Sequence, residues 1–109
     1  IQQNAKDIEA RFKVQINIQQ VQSLEAPKPT STDAPVVTAL SEAIQAVTGK
    51  TPRVMGIGGG TVAAIQRGVE MPAVVWATWD ETMHQPNEYC KISNVKADAK
   101  ILSRVFLKD

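Results

Sequence analysis

Two short runs of residues in this chain could do chemistry. The first contains His84, the only histidine, in the sequence Met-His-Gln-Pro-Asn-Glu-Tyr at residues 83–89. An imidazole is the commonest nitrogen ligand of zinc in proteins. A zinc site needs about three or four protein ligands, and the sequence has no HxxxH, HxH or cysteine pair to supply them. Taken alone, His84 therefore favours an ordinary surface histidine over a metal ligand.

The second run, Gly-Ile-Gly-Gly-Gly-Thr at residues 56–61, could bind a ligand through its backbone. Consecutive glycines permit a positive φ and let a ligand approach the backbone N–H groups closely. Where such a turn opens onto a helix, those groups attract a carboxylate or a phosphate. The run matches neither the P-loop pattern nor the dinucleotide-binding pattern. A tight turn that binds no ligand is an equal alternative.

Polar residues near His84 could support its loop. Asn87 can hydrogen-bond to nearby backbone groups, and the carboxylate of Glu88 can orient an imidazole by accepting a hydrogen bond from the ring nitrogen that does not bind the metal. Both residues also fit plain turn positions without such a role. The adjacent acids Asp80 and Glu81 are typical of a solvated loop.

The composition is that of an ordinary soluble globular protein of one small domain. The 109 residues carry 12 basic and 11 acidic side chains. This balance gives no excess of positive charge that would indicate binding to nucleic acid or to an acidic membrane. No apolar run approaches the roughly 20 residues of a membrane span, and no signal peptide is visible. The lone Cys90 fits a small buried apolar residue in a reducing cytoplasm. Because the sequence starts at Ile1, inside an amphipathic pattern, we expect a piece of a longer protein.

Hydrophobic periodicity predicts the elements before residue 50. Apolar residues at helical spacing predict a helix over residues 1–12, and alternation over residues 14–18 predicts a half-buried strand. The segment 26–32 contains two prolines and breaks both patterns, so we place a domain boundary there. A second helix follows, with Pro35 in its first turn and Gly49 as its end. Its predicted apolar stripe consists of Val36, Val37, Leu40, Ile44 and Val47.

Residues after position 50 predict a layered α/β arrangement. Residues 53–57 and 72–77 are mostly apolar without alternation, which predicts neighbouring strands of one sheet, covered on both faces. A short helix at 62–67 lies between them, and 78–88 is a loop. Ser93 is predicted to cap a last helix, and this order of helices and strands is typical of an α/β sheet. The predicted buried face of the last helix consists of Val95, Ala99, Leu102 and Phe106.

A Gly-Gly-Thr turn, then an apolar segment, then a histidine followed closely by Asn-Glu resembles the C-terminal end of a dizinc amidohydrolase and peptidase family. That family includes succinyl-diaminopimelate desuccinylases, acetylornithine deacetylases, aminoacylases and glutamate carboxypeptidases. The resemblance implies that residues 27–109 are the C-terminal part of a three-layer α/β catalytic domain. Residues 1–26 would be the last helix and strand of an α+β lid domain, which often mediates dimerisation in that family.

The resemblance also implies roles for individual residues. His84 resembles the family's final metal ligand, and Asn87 and Glu88 match the Asn-Glu that follows it, as support for the loop. Val62 departs from the pattern, because members commonly carry an acidic residue there, and this puts a polar role at that position in doubt. The turn that resembles the family's binding site for the carboxylate end of the substrate consists of Gly59, Gly60 and Thr61.

For the whole protein, the resemblance implies a zinc-dependent hydrolase that cleaves an N-acyl amide or peptide bond beside a free carboxylate. It implies a homodimer with two zinc ions per subunit, or cobalt or manganese in their place, and the lone Cys90 fits a cytoplasmic protein. The family's first histidine, bridging aspartate and Glu-Glu pair have no counterpart in these residues, so we expect the 109 residues alone to bind no metal and to be inactive. The alternative is a non-catalytic carboxylate-binding or dimerisation module.

Overall fold

Four helices and the segments between them make up the computed structural model, which describes residues 1–56 and 59–107. The helices are α1 (Gln2–Phe12), α2 (Pro35–Thr48), α3 (Val62–Gly68) and α4 (Ile92–Phe106). No helix in this part of the chain is long and apolar enough to cross a membrane. None of the described residues forms a β-strand. The predicted three-layer α/β fold, with its preceding lid strand, is therefore wrong for this structure.

The first predicted strand shows why alternation alone misleads. A strand requires backbone hydrogen bonds to a neighbouring strand, and the pattern of residues 14–18 predicts a wet and a dry face without supplying that neighbour. The segment instead turns back on α1, where the backbone N–H of Ile16 donates to Oε1 of Glu9 at 2.7 Å. The turn is made by Lys13, whose φ is 55°. A side chain of the preceding helix thus takes the place of a partner strand.

The two predicted central strands are likewise unpaired. Val54 and Val75 are each 50% exposed, so neither segment is covered on both faces. Ile57 and Gly58, at the end of the first segment, lie outside the described residues. An apolar run indicates a preference for burial, but other parts of the chain must provide the cover.

The second of these segments is held by a side chain. The hydroxyl of Thr30 donates to the carbonyl oxygen of Ala73 at 2.7 Å, and its oxygen accepts from the N–H of Ala73 at 3.0 Å. One threonine therefore satisfies both backbone groups that a strand partner would have bound. This pair joins the proline-containing segment 26–32 to the chain that leads towards His84.

The prediction of α2 is confirmed. Pro35 occupies the first turn, where its missing N–H costs nothing. Gly49 ends the helix with a φ of 70°, and its N–H donates to the carbonyl oxygen of Gln45 at 2.8 Å. Leu40 and Ile44 of the predicted stripe are buried. Apolar residues every three to four positions thus gave the correct face.

The face that α4 buries differs from the prediction. Ile101 is fully buried in a cluster with Leu40 and Ile44 of α2, whereas Leu102 and Phe106 of the predicted face are 42% and 79% exposed. The helix starts at Ile92 without a side-chain cap, so the prediction that Ser93 caps it is also wrong. α4 has apolar residues on two stripes. The stripe that faces inward contains Ile101 and Val105, and its polar residues Asn94 and Asp98 form hydrogen bonds.

Outside the α2–α4 pair, little apolar surface is covered. The radius of gyration is 20.0 Å, against about 13 Å for a compact domain of this size. The predicted helix α1 is confirmed, but it buries no residue, and Phe12 is 61% exposed. The packed part of the described chain is therefore the α2–α4 pair with the segment around Val74 and Trp76.

Candidate functional site

The loop of residues 81–89 contains His84 and is built from two consecutive turns. In the second turn, the N–H of Glu88 donates to the carbonyl oxygen of Gln85 at 3.2 Å. Pro86 and Asn87 occupy its central positions, and Asn87 has a φ of 61°. Proline followed by asparagine favours a turn with positive φ at its third residue. The local sequence therefore accounts for this turn.

The first turn places His84 itself on left-handed backbone. The N–H of Gln85 donates to the carbonyl oxygen of Thr82 at 3.1 Å, and His84 is the third residue of this turn with a φ of 60°. That conformation costs a residue with a Cβ about 1 kcal/mol. Oε2 of Glu88 accepts a hydrogen bond from the backbone N–H of His84 at 3.1 Å, which helps to offset the cost. Backbone strain of this kind clusters at functional sites.

Further contacts close the loop on itself. The side-chain amide of Gln85 donates to the carbonyl oxygen of Glu81 at 2.8 Å. The hydroxyl of Thr82 lies 3.4 Å from the carbonyl oxygen of Tyr89 and 3.5 Å from its backbone nitrogen. His84 is exposed, and the contact from Glu88 is to its main chain rather than to its ring. The imidazole of His84 is therefore accessible, and hydrogen bonds within the loop hold the backbone that carries it.

The glycine turn leads directly into α3. Gly59 has a φ of 152°, a value that residues with a Cβ rarely adopt. A Cβ at Gly59 or at Gly60 would have no atom within 4 Å other than those of the glycine and its two neighbours in the chain. Thr61 precedes the helix in extended conformation, with φ −137° and ψ 154°, and makes no side-chain cap hydrogen bond. Both glycines are exposed. The backbone of this turn is therefore open to a ligand.

The two predicted parts of the site lie on separate elements. His84, Asn87 and Glu88 share one loop before α4, and the glycine turn precedes α3. Over residues 1–56 and 59–107, no hydrogen bond joins residues 59–61 to residues 81–89. The His84 loop and the glycine turn are therefore described as two separate candidate sites.

The residues present fit one ligand of a metal site. No group of three His, Cys, Asp or Glu side chains within the described chain could hold a metal ion. His84 supplies an accessible imidazole, the nitrogen donor that zinc prefers. Cys90 is exposed, so the prediction of a buried cysteine is wrong.

Asp80 is the neighbour of the His84 loop whose role the sequence did not reveal. Its side chain is only 15% exposed, and its Oδ1 lies 2.5 Å from Nζ of Lys91. Nδ2 of Asn94 donates to Oδ2 of the same carboxylate at 3.4 Å. The hydrogen bond to Asp80 is the main cause that raises the pKa of Lys91. The signal in the sequence for this contact is the helical spacing of Lys91, just before α4, from Asn94 within it.

Comparisons with known proteins agree with the motifs. The sequence is 39% identical over 95 residues to a protein of Methanococcus maripaludis named as an uncharacterized metallohydrolase. The aligned region covers 87% of this chain and 23% of that protein. It is 33% identical over 100 residues to a protein of Methanocaldococcus jannaschii with the same description. That aligned region covers 92% of this chain and 24% of that protein. The chain thus spans about a quarter of the length of these relatives. No solved structure matches it.

The family match covers nearly the whole sequence. The family described as Peptidase family M20/M25/M40 matches residues 6–108, a range that includes both the glycine turn and the His84 loop. On that match the chain belongs to peptidase family M20/M25/M40.

Proposed function

We propose that these residues are the part of a metal-dependent hydrolase that supplies one metal ligand, His84, and a turn that binds the substrate's carboxylate. The reaction is cleavage of an N-acyl amide or peptide bond beside a free carboxylate. The observation that carries the proposal is the exposed imidazole of His84 on a left-handed backbone inside a braced loop, in a chain of this family.

In this proposal, His84 holds a divalent metal through its ring. The fixed turn limits where the ring can lie, and such preorganisation lowers the cost of binding a metal. We propose zinc as the metal, two ions per subunit, with cobalt or manganese as alternatives. When bound, the metals supply Lewis acidity and an activated water. The remaining ligands and the general base come from residues other than those described.

The glycine turn has the second role. Its exposed backbone at Gly59 and Gly60 allows close approach of a carboxylate, since glycine has no side chain and the space where a Cβ would lie is open. Thr61 adds a hydroxyl, which makes no capping hydrogen bond to α3 although Thr61 is the residue that precedes the helix. Hydrogen bonds to this turn select substrates that end in a free carboxylate.

The test is the variant His84→Ala in the complete enzyme, with Met83→Ala in the same turn as matched control. Metal per subunit is measured by mass spectrometry, and turnover is measured on N-acetyl and N-succinyl amino acids and on dipeptides. We expect His84→Ala to lose one metal and nearly all turnover, and Met83→Ala to keep both. Unchanged metal content and turnover in His84→Ala would remove His84 from the site. A complete protein that binds no metal and cleaves none of these substrates would favour the non-catalytic module.

We also propose that the protein is a homodimer with α1 and the following segment at the interface. Phe12, Val21 and Leu24 are 61%, 91% and 73% exposed, and a second copy of the chain would cover these apolar side chains in a dimer. Light scattering of the complete protein should give twice the mass of one chain, and Val21→Asp should give the monomer. A wild-type monomer contradicts this part of the proposal.

A further inference from the structure

Two residues of the chain that leads into the His84 loop, Thr78 and Asp80, are hydrogen-bonded to α4 or to the residue before it. Oδ2 of Asp98 accepts a hydrogen bond from the backbone N–H of Thr78 at 2.8 Å, and Oδ1 accepts one from the hydroxyl of Thr78 at 2.6 Å. The two residues are 20 positions apart, and both are half-buried. Hydrogen bonds to an ionised acceptor are about twice as strong as neutral ones. One residue of the loop's entry thus occupies both oxygens of a side chain on the helix.

A second contact follows two residues later, in which the carboxylate and the donors have exchanged sides. Here the carboxylate is that of Asp80, before the loop, and the donors are Lys91, the residue that precedes α4, and Asn94 in the first turn of α4. Asn94 and Asp98 are four positions apart, so they lie on one face of α4, and Lys91 precedes that face at the N-terminal end of the helix. Residues 78–80 are therefore held along one stripe of α4, immediately before the loop of residues 81–89.

The same stripe continues into the apolar core. Ile101, three residues after Asp98, is fully buried against α2, and Val105 packs against the same cluster. The stripe is polar in its first half, where it holds the chain before His84, and apolar in its second half, where it holds α2. Packing against α2 fixes α4. The hydrogen bonds of Asp98 to Thr78 then fix the chain before the loop relative to α4.

From this geometry we propose that Asp98 is a positioning residue for His84. It contacts neither metal nor substrate, and it acts by holding Thr78 and so the loop that carries the imidazole. This inference rests on the proposed role of His84 as a metal ligand. It goes beyond that role because it assigns a function to a helix residue 14 positions away from the histidine.

The experiment uses the complete enzyme with the variants Asp98→Ala, Thr78→Val and Thr78→Ser, and Lys96→Ala as an exposed control on α4. Thr78→Val removes the hydroxyl and keeps the shape, and Thr78→Ser restores the hydroxyl. Three quantities are measured: deuterium uptake of the peptide covering residues 81–89, the affinity for added zinc, and kcat and KM separately. The Thr78 pair keeps the test valid if Asp98→Ala does not fold.

We expect faster deuterium uptake over residues 81–89 in Asp98→Ala and Thr78→Val, with zinc affinity about tenfold weaker. Since the glycine turn is separate, kcat should fall while KM stays within about twofold. Thr78→Ser and Lys96→Ala should resemble wild type in all three. Unchanged uptake in Asp98→Ala and Thr78→Val, or faster uptake with unchanged zinc affinity and kcat, would overturn the proposal.

The comparison with His84→Ala separates this inference from the proposed function. If His84→Ala loses metal and turnover while Asp98→Ala and Thr78→Val lose neither, the positioning role is wrong and the proposed function stands. If His84→Ala loses neither, the proposed function fails and takes the positioning role with it.

Discussion

Truncation of the fully buried Ile101 should cost the α2–α4 pair a large part of its stability. Ile101→Ala removes three buried carbons, each worth about 0.8 kcal/mol of transfer free energy, or about 2.4 kcal/mol together. The cavity left behind adds to this, although the partly buried Val47 and Val105 can move into some of the space. We therefore expect the free energy of unfolding to fall by about 3 kcal/mol. A loss of that size is a large fraction of the about 5–15 kcal/mol that stabilises a typical domain.

The matched control makes the same chemical change in the same helix. Ile92 is 74% exposed, so Ile92→Ala removes only about a quarter of the transfer term, about 0.6 kcal/mol. The better helix propensity of alanine returns about 0.4 kcal/mol. The net change at Ile92 should therefore lie within about 0.5 kcal/mol of zero.

Urea unfolding followed by far-ultraviolet circular dichroism measures both variants. The indole of Trp76 packs against the same cluster, so its fluorescence provides a second probe of the core. Ile101→Ala should shift the midpoint strongly, or leave the helices largely unfolded without urea, and Ile92→Ala should overlay wild type. Equal shifts in the two variants would refute the assignment of Ile101 to the packed face of α4.

Two further outcomes follow from the backbone and from charge. Gly59→Ala should raise KM for carboxylate substrates by about 5-fold or more, because strain of about 1–3 kcal/mol accompanies a Cβ at a φ of 152°. Gly68→Ala, at the exposed end of α3, should change KM little, because Gly68 has no positive φ and lies outside the turn. Equal effects of the two variants in steady-state kinetics would contradict the role of this turn. The hydrogen bond to Asp80 raises the pKa of Lys91 above its usual 10.5, so the folded state binds this proton more tightly, and the contribution is fully present below pH 10.5 and lost as the pH rises through the raised value. Thermal unfolding from pH 8 to pH 11 should therefore show a smaller alkaline loss for Lys91→Gln than for wild type, and parallel curves would argue against the ion pair.

The helices follow from the sequence because their signals are local. Pro35 and Gly49 mark the ends of α2, and Leu40 and Ile44 mark its buried face. The strands could not be predicted correctly because a strand needs a partner that its own residues do not specify. Residues 14–18 have a clear alternation, yet Glu9 rather than a strand satisfies the N–H of Ile16.

The buried face of α4 and the support of the His84 loop depend on long-range pairs. Val95, Leu102 and Phe106 form a better apolar stripe than the one that is buried, and no local pattern shows that Asp98 will meet Thr78. The candidate residues themselves were visible from their types. The contacts that would hold them required the structure.

The way the His84 loop is attached has a consequence for heat inactivation. α2 and α4 hold each other through buried apolar side chains, whereas the loop is held by a few polar contacts, several of them exposed. Detaching the loop uncovers little apolar surface, so it requires less free energy than separating the helices. We expect the complete enzyme to release metal and lose turnover on heating while its helical circular dichroism is still native. The temperature of half-inactivation would then report on the loop, and the midpoint of the helical signal on the α2–α4 pair.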